Sequence, residues 1–572
     1  MKINHNRFKW STTACLITLI AASCSSHKEK NEIPTGDFNI SIRSVVYNND
    51  ENVVNVNPVK STESSDKLMA SASKSGSAQQ TLNIQSANEF DFITDMQTNA
   101  MENSSIKSAK ASASGKTKAA EVPMGNNKKY RLIFIQEGNP TPIYNALLSP
   151  GEDPHLRVAP NKKYFWYAIS VNDPDSAPNI DGSGNIAASD LANKDFMYAT
   201  GEVTTKEENN YFDITFLRQM AAVNVTVNTR GIFGGITDNS TFSIGSGSGS
   251  TFTNIIQTGN FNILKGEFSN LQDTEPVKGS EMSIVDNRWG NAEKIARFYT
   301  ANTSTTISAN NLRIRINGLG ITLDDGTARN FASNTIVPIP HNNKLTLIKG
   351  TLSKTNVRLI ESGINVNGLI WARTNLVYDV KKLYGSTYNK GYSDAYRFRT
   401  DNKYAQPNLS TEFWNFGTET PTGTDYANKD VCSRVYPEGT WRLPQEADNP
   451  KEMTQLVNNT NRTVTITSFS DGYRHSKIWA SSQPANSAYP DKDLIISYYG
   501  YRDSKGVLQQ QPKGNNGTGW LIQQTNEYHP SNKNSTILHG KVNKGSFPNP
   551  LIETIAYGVG APIRCVRMTV NN

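Results

Sequence analysis

The sequence DITFLRQMAAVNVTV, at residues 213–227, contains the alternation of apolar and polar residues that is typical of a β-strand. Val223, Val225 and Val227 alternate with polar residues, so their side chains share one face of an extended backbone. β-Branched residues at every second position suit a strand with one buried face. The stretch therefore predicts β structure rather than a helix.

Strand signals recur on both sides of this stretch. Apolar and polar residues alternate in residues 38–47, 311–316 and 344–352, whereas residues 130–135 and 163–171 are dense in β-branched and aromatic side chains. The first pattern is typical of half-buried strands and the second of central strands. Because almost no segment in this part has the periodicity of a long helix, we predict a mainly β fold with a second sandwich that closes near residue 355.

The composition agrees with an exported, loop-rich β protein. The 572 residues are 36% hydrophobic, with 40 Gly, 25 Pro and a mean hydropathy of -0.54. This length implies about two to four domains. The 58 basic residues are scattered among 51 acidic ones, so no basic stripe is available for nucleic acid, and we expect no nucleic-acid partner.

The N-terminus has the features of a secretory signal. Lys2, Arg7 and Lys9 precede a short apolar run at residues 14–22, which is too brief to span a bilayer. Residues 1–23 are therefore expected to form a signal peptide that is removed.

The sequence AASC at residues 21–24 resembles the lipobox of bacterial lipoproteins. In such proteins the cysteine is acylated at the new N-terminus, so the resemblance implies lipidation of Cys24 and anchoring to the outer membrane. Acyl chains anchor a protein to a membrane without spanning it. Residues 24–37 are then the start of the mature chain and its polar tether. The alternative is an ordinary cleaved secretory signal.

Export also determines the expected state of the cysteines. Cys15 leaves with the signal and Cys24 carries lipid, so Cys432 and Cys565 are the pair that remains, in a compartment where disulfides persist. We expect these two residues to be bonded. The chain has no Cys-x-x-Cys motif and its seven histidines are scattered, so we expect no metal site.

Residues 60–129 differ in kind from the strands around them. They are rich in Ser, Ala, Lys, Asn and Gln and contain few side chains that could build a core. We expect a low-complexity insert here, in which one island, FDFITDM at residues 90–96, adds a short strand or helix.

From the lipobox to about residue 355 the chain resembles the fimbrillin family of Bacteroidetes lipoproteins. The resemblance rests on the lipobox and the early strand, on the strand at residues 164–171, on the run at residues 216–225 and on the final alternating strand. It implies two tandem fimbrillin-like β-sandwich domains. These are expected at residues 38–215, which include the insert, and at residues 216–355.

The family resemblance also implies a mechanism of assembly. A precursor held at the surface by lipid loses its first strand to an Arg-specific protease, and the open groove accepts a strand from another subunit. Arg43 is the one arginine between Cys24 and Tyr130, so the hypothesis is cleavage between Arg43 and Ser44. The next arginine, Arg131, begins a strand that we expect to be buried. The alternative is that Arg43 is a solvent-facing strand residue and that the lipid anchor is retained.

Residues 356–572 are expected to form a separate C-terminal module, because five of the eight tryptophans fall there. Two landmarks, PEGTWRLP at residues 437–444 and PIRCVR at residues 562–567, resemble elements of the C-type-lectin-like module called the Fibrobacter succinogenes major paralogous domain. The resemblance implies an α+β fold. It also places the Cys432–Cys565 bond between the middle of the module and its last strand.

The tryptophans of this module are candidates both for its core and for surface contacts. We expect Trp371, Trp441 and Trp479 to lie in the core. Trp414 and Trp520 are flanked by Asn, Gly and Thr, so we expect these two to contact a sugar or a protein partner.

Two activities of related modules lack the residues they need. Calcium-dependent sugar binding requires carboxylates that the nearest strings, QPA at residues 483–485 and WNF at residues 414–416, do not supply. Formylglycine formation uses a nearby redox-active cysteine pair, whereas Cys432 and Cys565 are far apart in sequence. No Ser/His/Asp cluster or paired-carboxylate motif stands out, so we expect no catalytic residue and no cofactor.

Together these features predict an accessory subunit at the tip of a cell-surface fimbrium, made from an outer-membrane lipoprotein precursor. Its expected partners are shaft and tip-complex subunits, the Arg-specific protease, and a host protein or glycan. Seven residues follow Cys565, in a strand tied by the disulfide, so we expect the chain to accept a strand but not to donate one. The alternative is a lipid-anchored surface adhesin or glycan-binding lipoprotein that joins no filament.

Overall fold

The computed structural model describes the greater part of the chain. The described residues are 38–48, 84–87, 89–97, 121–323, 326–331, 333–366, 368–379, 394–400, 410–424, 429–446, 451–458, 465–468, 474–478, 494–497, 499–509, 519–529, 534–542, 551–556 and 558–568. Strands dominate among them and helices are short, which confirms the predicted mainly β fold.

The strands that precede residue 219 begin with a long first strand. They are β1 (Phe38–Asn48), β2 (Gln85–Ser86), β3 (Phe90–Gln97), β4 (Glu121–Pro123), β5 (Tyr130–Gln136), β6 (Pro142–Leu148), β7 (Leu156–Val158), β8 (Lys163–Ser170), β9 (Asn185–Ile186), β10 (Met197–Thr204) and β11 (Asn210–Arg218). A short helix, α1 (Ala188–Leu191), lies between β9 and β10.

The next strands extend to residue 361 and are joined by tight connections. They are β12 (Ala221–Gly231), β13 (Gly234–Ile236), β14 (Thr241–Ser246), β15 (Thr253–Asn254), β16 (Gln257–Asn262), β17 (Glu267–Asp273), β18 (Val277–Lys278), β19 (Ser283–Ile284), β20 (Glu293–Thr300), β21 (Thr306–Ile307), β22 (Leu312–Gly318), β23 (Gly320–Leu323), β24 (Ala328–Asn330), β25 (Thr335–Ile339), β26 (Leu345–Thr346) and β27 (Leu352–Glu361). Two 3-10 turns, Gly279–Glu281 and Gly290–Ala292, lie beside β19.

The strands of the C-terminal module are mostly short. They are β28 (Ile364–Val366), β29 (Leu369–Trp371), β30 (Leu376–Tyr378), β31 (Tyr396–Phe398), β32 (Thr465–Ser468), β33 (Arg474–Ile478), β34 (Leu494–Ser497), β35 (Tyr501–Arg502), β36 (Leu508–Gln509), β37 (Gly519–His529), β38 (Asn534–Val542), β39 (Leu551–Ala556) and β40 (Val566–Met568). A 3-10 turn at Val431–Arg434 and helix α2 (Glu452–Asn458) precede β32.

The first sheet closes round an apolar core on one of its faces. Its strand order is β4-β1-β11-β10-β8-β5-β6, and β7 also pairs with β1. Phe134 of β5 contacts Phe212 of β11 edge to face, with ring centroids 5.6 Å apart, and Tyr130 contacts Phe216 in the same way. Because two strands separate β5 from β11 in the sheet, these contacts require the sheet to close over its own apolar side chains.

The second sandwich consists of two sheets packed face to face. One has the order β19-β20-β12-β27-β3-β2, and the other has the order β15-β14-β22-β25. Val223, Val225 and Val227 point from β12 into the core, where they share a cluster with Ile314 and Ile316 of β22. The three valines therefore face one core, as the alternation predicts.

Residues 213–227 contribute to both the first sheet and the second sandwich. β11 ends at Arg218 and β12 begins at Ala221, so Gln219 and Met220 carry the chain from the first sheet to the second sandwich. The boundary expected between residues 215 and 216 thus falls inside β11.

Strand β3 belongs to the second sandwich although it lies in the low-complexity stretch 60–129. It pairs antiparallel with β27, from Lys354 opposite Gln97 to Glu361 opposite Phe90. The island at residues 90–96 is therefore a strand. It completes a sheet whose other long strands follow it by more than a hundred residues.

The C-terminal module packs directly against the second sandwich. β28, β29 and β40 form one sheet, which brings the start of the module to its last described strand. Ile93 of β3, Phe233 and Ile360 share an apolar cluster with Trp414 and Trp441 of the module. The two parts therefore have a continuous core.

A buried charge strengthens this junction. The guanidinium of Arg230 lies between two rings, 3.4 Å from the centroid of Trp289 and 3.9 Å from that of Tyr436. Its Nη2 is 2.8 Å from a carboxylate oxygen of Asp394. Stacked and paired in this way, the arginine joins the second sandwich to two segments of the module.

Candidate functional site

The candidate processing site lies in the middle of β1. This strand runs parallel to β11 on one side. On its other side it pairs first with β7, through Phe38–Ile40, and then with β4, through Val46–Asn48. Among the described strands, none faces residues 41–44 on that side. The middle of β1 is therefore its least supported segment.

A β-bulge coincides with this segment. Ile42 lies opposite Phe212 of β11 and Ser44 lies opposite Asp213, so Arg43 is the extra residue of the bulge. A bulge leaves its extra residue unpaired and disrupts the strand ladder locally. The Arg43–Ser44 peptide bond thus lies where β1 is held by the fewest strand contacts.

The side chains on both sides of this bond contact Asp213. Arg43 Nη2 lies 2.7 Å from one carboxylate oxygen, and Ser44 Oγ donates a hydrogen bond of 2.8 Å to the other. The arginine and aspartate side chains are 62% and 45% exposed. Ion pairs this exposed contribute only about 0–1 kcal/mol, so Arg43 is accessible and weakly held.

The segment before the bulge covers an apolar floor. Ile40 is fully buried and lies opposite Leu156 of β7. Leu156 and Phe212 are buried in the same cluster as Ile40. Loss of residues 38–43 would expose this floor together with the backbone edges of β7 and β11.

The first strand extends beyond the candidate cleavage site. The family mechanism implies removal of the first strand, but cleavage after Arg43 leaves residues 44–48 attached to the mature chain and paired with β4 and β11. Cleavage itself stays a prediction. Arg131 lies in the largely buried β5, where its Nε donates to the carbonyl of Pro178 at 2.7 Å. It is thus a poorer protease site than Arg43.

The predicted disulfide is present in the C-terminal module. Cys432 and Cys565 are fully buried and joined by an S–S distance of 2.06 Å. The bond connects the 3-10 turn at Val431–Arg434 with the residue before β40. Asp430 holds the turn, because its carboxylate accepts a hydrogen bond of 3.0 Å from the backbone N–H of Cys432. Burial raises the pKa of the Asp430 carboxyl.

Trp414 is not a surface residue. Its side chain is 0% exposed, and its indole N–H donates to the carbonyl of Leu376 at 3.3 Å. Its ring stacks on Tyr396, with centroids 6.1 Å apart. The prediction that Trp414 contacts a ligand is therefore wrong, because stacking and a buried hydrogen bond hold the ring inside the module.

The structure describes only some of the other residues for which the sequence makes a prediction. Trp371 and Trp441 are buried, as predicted. Trp520 lies in β37, and its ligand contact stays a prediction. Trp479 lies outside the described residues, as do Cys24, the signal peptide and the tether.

Within the described ranges, no helix is long and apolar enough to cross a membrane. The same residues contain no group of three or more His, Cys, Asp or Glu side chains placed to hold a metal ion.

Asp213 and Asp91 have roles that the sequence patterns did not reveal. Asp213 binds Arg43 across 170 residues, and Asp91 binds Arg567 across 476 residues. The available signal is an acid that interrupts an apolar strand pattern, which is typical of a paired charge. This signal does not identify the partner.

Comparisons with solved structures give low similarity. A candidate cell adhesion protein from Bacteroides fragilis is 11% identical, with 46% of this chain and 94% of that chain covered and a TM-score of 0.29. A fimbrial assembly protein from Parabacteroides distasonis is 11% identical, with 40% and 82% covered and a TM-score of 0.21. A candidate adhesin from Bacteroides ovatus is 14% identical, with 37% and 76% covered and a TM-score of 0.21. Similarity this low carries no argument about function.

A family model gives the more specific comparison. No curated protein matches the chain. Residues 161–366, however, match the model of a family described as fimbrillin-like. The match begins just before β8 and ends with β28, so it includes three strands of the first sheet, β8, β10 and β11, and all of the second sandwich except β2 and β3. This part of the chain is therefore similar to fimbrillin-like proteins.

Proposed function

We propose that the chain is an accessory subunit at the tip of a cell-surface fimbrium and that its C-terminal module serves adhesion. The fimbrillin-like match over residues 161–366 supports the fimbrial role. The observation that carries the proposal is the position of Arg43, which is exposed at a bulge in the middle of β1.

Cleavage between Arg43 and Ser44 allows residues 38–43 to leave. Their departure opens an acceptor groove between β7 and β11. A protease binds its substrate as an extended chain, so β1 must first open locally. Local opening is easiest where few buried contacts and few strand hydrogen bonds hold the backbone. The bulge and the gap between β7 and β4 meet this condition at residues 41–44.

The groove between β7 and β11 binds its ligand through backbone hydrogen bonds. It also requires an apolar side chain at the position of Ile40. The incoming strand runs parallel to β11 and antiparallel to β7, as residues 38–42 do in the precursor. Main-chain hydrogen bonds supply affinity, and alternate side-chain pockets supply specificity. A large apolar side chain takes the place of Ile40, which is the fully buried residue of the released segment. The partner is thus a strand of another fimbrial subunit.

The C-terminal module is suited to presentation at the end of a filament. Its last described strand, β40, pairs with β29, and the residue before it, Cys565, is bonded to Cys432. This strand is committed to its own fold and is not free for donation. The module also shares a core with the second sandwich, so a C-type-lectin-like surface can be held rigidly toward a host protein or glycan.

The precursor stage completes the proposal. Lipid on Cys24 holds the newly exported chain at the outer membrane, and an Arg-specific protease releases it by cutting after Arg43. Mature subunits then assemble with the shaft and the other tip proteins. Lipidation thus keeps the precursor at the outer membrane, and proteolysis determines when it can assemble.

Gold-labelled antibodies against residues 356–572 test the location on isolated fimbriae. The proposal predicts label at filament ends. Label along the shaft, or filaments without label, would overturn it. A strain with Arg43→Ala should lose the label, whereas Arg157→Ala, which changes an exposed arginine on the neighbouring strand β7, should keep it.

The second candidate is a lipid-anchored surface adhesin that never joins a filament. It is favoured by the closed state of β1, which is paired on both sides and buries Ile40. An uncleaved β1 leaves no groove for another subunit. Recovery of the chain only in the outer-membrane fraction, with acyl chains still on Cys24, would favour this candidate.

A further inference from the structure

Strand β3 is buried on both of its faces, which is unusual for a strand from a stretch poor in core residues. Phe90 and Phe92 point into the core of the second sandwich. Asp91 and Ile93 point the other way, toward the C-terminal module. One strand therefore contributes to two cores at once.

The backbone of β3 is held along its whole length. It pairs with β27 at every position from Phe90 to Gln97, and β2 folds back to pair with Asp91 and Phe92. Such a ladder satisfies main-chain groups in the way that a bound peptide satisfies a sheet edge. The strand is therefore fixed by pairing and not only by its connections.

Three side chains of β3 make specific contacts with the residues around the strand. Phe90 contacts the ring of Phe331 edge to face at 5.6 Å between centroids. Asp91 forms a buried ion pair with Arg567. Thr94 Oγ1 donates to the carbonyl of Pro338 at 3.0 Å. The partners lie just after β24, in β25 and in β40.

The far end of β3 is anchored by a second acid. The side-chain amide of Asn356 donates to Asp95 at 2.8 Å, and Arg358 pairs with the same carboxylate. The backbone carbonyl of Asp95 accepts from Thr355 Oγ1 at 2.9 Å. The three partners are consecutive or nearly consecutive residues of β27.

We infer that β27, the core of the second sandwich and Arg567 form a peptide-binding groove, and that its ligand is the segment at residues 84–97 of the same chain. The ligand is a short strand with aromatic side chains on one face and an acid followed by an aliphatic residue on the other. Its binding does not depend on the covalent connections at residues 49–83 and 98–120. This inference stands independently of the fimbrial role.

The groove has a consequence for any processed form of the chain. Residues 84–97 lie after Arg43, so cleavage there leaves the internal strand in place. The second sandwich and the C-terminal module then stay closed while the first sheet opens. The processed chain therefore has an open strand-accepting groove in its first sheet. In its second sandwich the corresponding position is occupied by β3.

Cutting the chain on both sides of β3 tests the inference. Recognition sequences for a site-specific protease are inserted after Lys74 and after Lys107 in the full chain, and both are cut. The fragment that contains residues 75–107 should remain with the rest of the protein on native gel filtration and in native mass spectra. Elution of the fragment on its own, whatever the state of the remainder, would overturn the inference.

Two further measurements distinguish specific binding of the cut fragment from a fragment that is only slow to escape. They are replacement of the fragment by a synthetic peptide and the dissociation rates of variants. A labelled synthetic peptide of residues 84–97 should replace the cut fragment, whereas the same peptide with Phe90→Ser and Phe92→Ser should not. In the cut protein, Asp91→Asn should speed dissociation by at least about tenfold, because Arg567 is left buried and unpaired. Asp95→Asn, at a more exposed acid, should change it by less than about threefold. Equal effects of the two variants would contradict the groove.

Hydrogen exchange on the natural chain gives an independent readout. The β3 amides that hydrogen-bond to β27, at every second position of the antiparallel pair, should be as well protected as those of β27. Rapid exchange of these β3 amides beside slow exchange in β27 would overturn the inference without any variant.

Discussion

The carboxylate of Asp91 in β3 forms a buried ion pair with the guanidinium of Arg567 in β40, 476 residues further along the chain. The two side chains are 6% and 1% exposed. The Arg567 guanidinium also lies 5.1 Å from the ring centroid of Trp441. One ion pair thus connects the N-terminal insert, the second sandwich and the C-terminal module.

Removal of one partner of this pair should be strongly destabilising. We predict that Asp91→Ala lowers the free energy of unfolding by about 3–5 kcal/mol, because a buried guanidinium then has no countercharge. Urea unfolding of the full chain measures this change. The double variant Asp91→Leu with Arg567→Met should recover most of the loss, since no charge is then left buried. A loss below about 1 kcal/mol for Asp91→Ala would contradict a buried pair.

The contact of Asp213 with Arg43 and Ser44 should slow cleavage, although it stabilises the fold by at most about 1 kcal/mol. We predict that Asp213→Ala increases the rate of cutting after Arg43 by an Arg-specific protease up to about fivefold, the factor that corresponds to about 1 kcal/mol. Mass spectrometry of a digestion time course follows the product that starts at Ser44.

A matched control separates this effect from general loosening of the first sheet. Glu202→Ala removes another exposed carboxylate, one that pairs with Lys163 in the same sheet. This variant should leave the cutting rate at Arg43 unchanged. An unchanged rate in Asp213→Ala, or an equal increase in both variants, would argue against the assigned role of Asp213.

The disulfide should stabilise the module by restricting its unfolded chain. We predict that Cys432→Ser lowers the free energy of unfolding by about 2–4 kcal/mol. Tryptophan fluorescence during urea unfolding reports the change, because Trp414 and Trp441 share a core with the disulfide. Ser433→Ala, which removes one hydrogen bond of the same turn, should cost only about 1 kcal/mol. If the reduced natural protein is as stable as the oxidised one, the prediction is wrong.

Alkaline pH should destabilise the module through Tyr396. Burial raises the pKa of its hydroxyl from 10.0 to about 12. The unfolded chain therefore loses this proton first, and stability falls as the pH rises from about 10 to about 12, by up to about 1.4 kcal/mol per pH unit. The hydroxyl also donates to the carbonyl of Glu419 at 2.9 Å.

The variant Tyr396→Phe isolates this contribution. It should be less stable near neutral pH, by about 1 kcal/mol for the lost hydrogen bond, but its stability should fall less steeply above pH 10. Unfolding curves at a series of pH values measure both effects. Parallel pH profiles for the variant and the natural protein would contradict a raised pKa.

The strands could be predicted from the sequence because alternation is a local property. Val223, Val225 and Val227 face one core as their spacing indicates, and the island at residues 90–96 forms a strand. The partner of that strand could not be predicted. Pairing with β27 is set by packing between residues far apart in the chain, and the sequence around β3 carries no sign of it.

The candidate site was predictable only in part for the same reason. Arg43 could be identified because it is the one arginine between Cys24 and Tyr130. The bulge at Arg43 arises from the pairing of β1 with β11. It could not be predicted from the sequence of β1 alone. The polar neighbours of Trp414 in sequence predict a surface position, yet its burial depends on contacts with Leu376 and Tyr396.

N-terminal sequencing with intact-mass measurement, on protein recovered from purified surface fimbriae of its own host, decides whether the mature subunit is made by cleavage after Arg43. We expect a chain that starts at Ser44 and carries no lipid. A chain that starts at an acylated Cys24, or the absence of the protein from the fimbrial fraction, would contradict it.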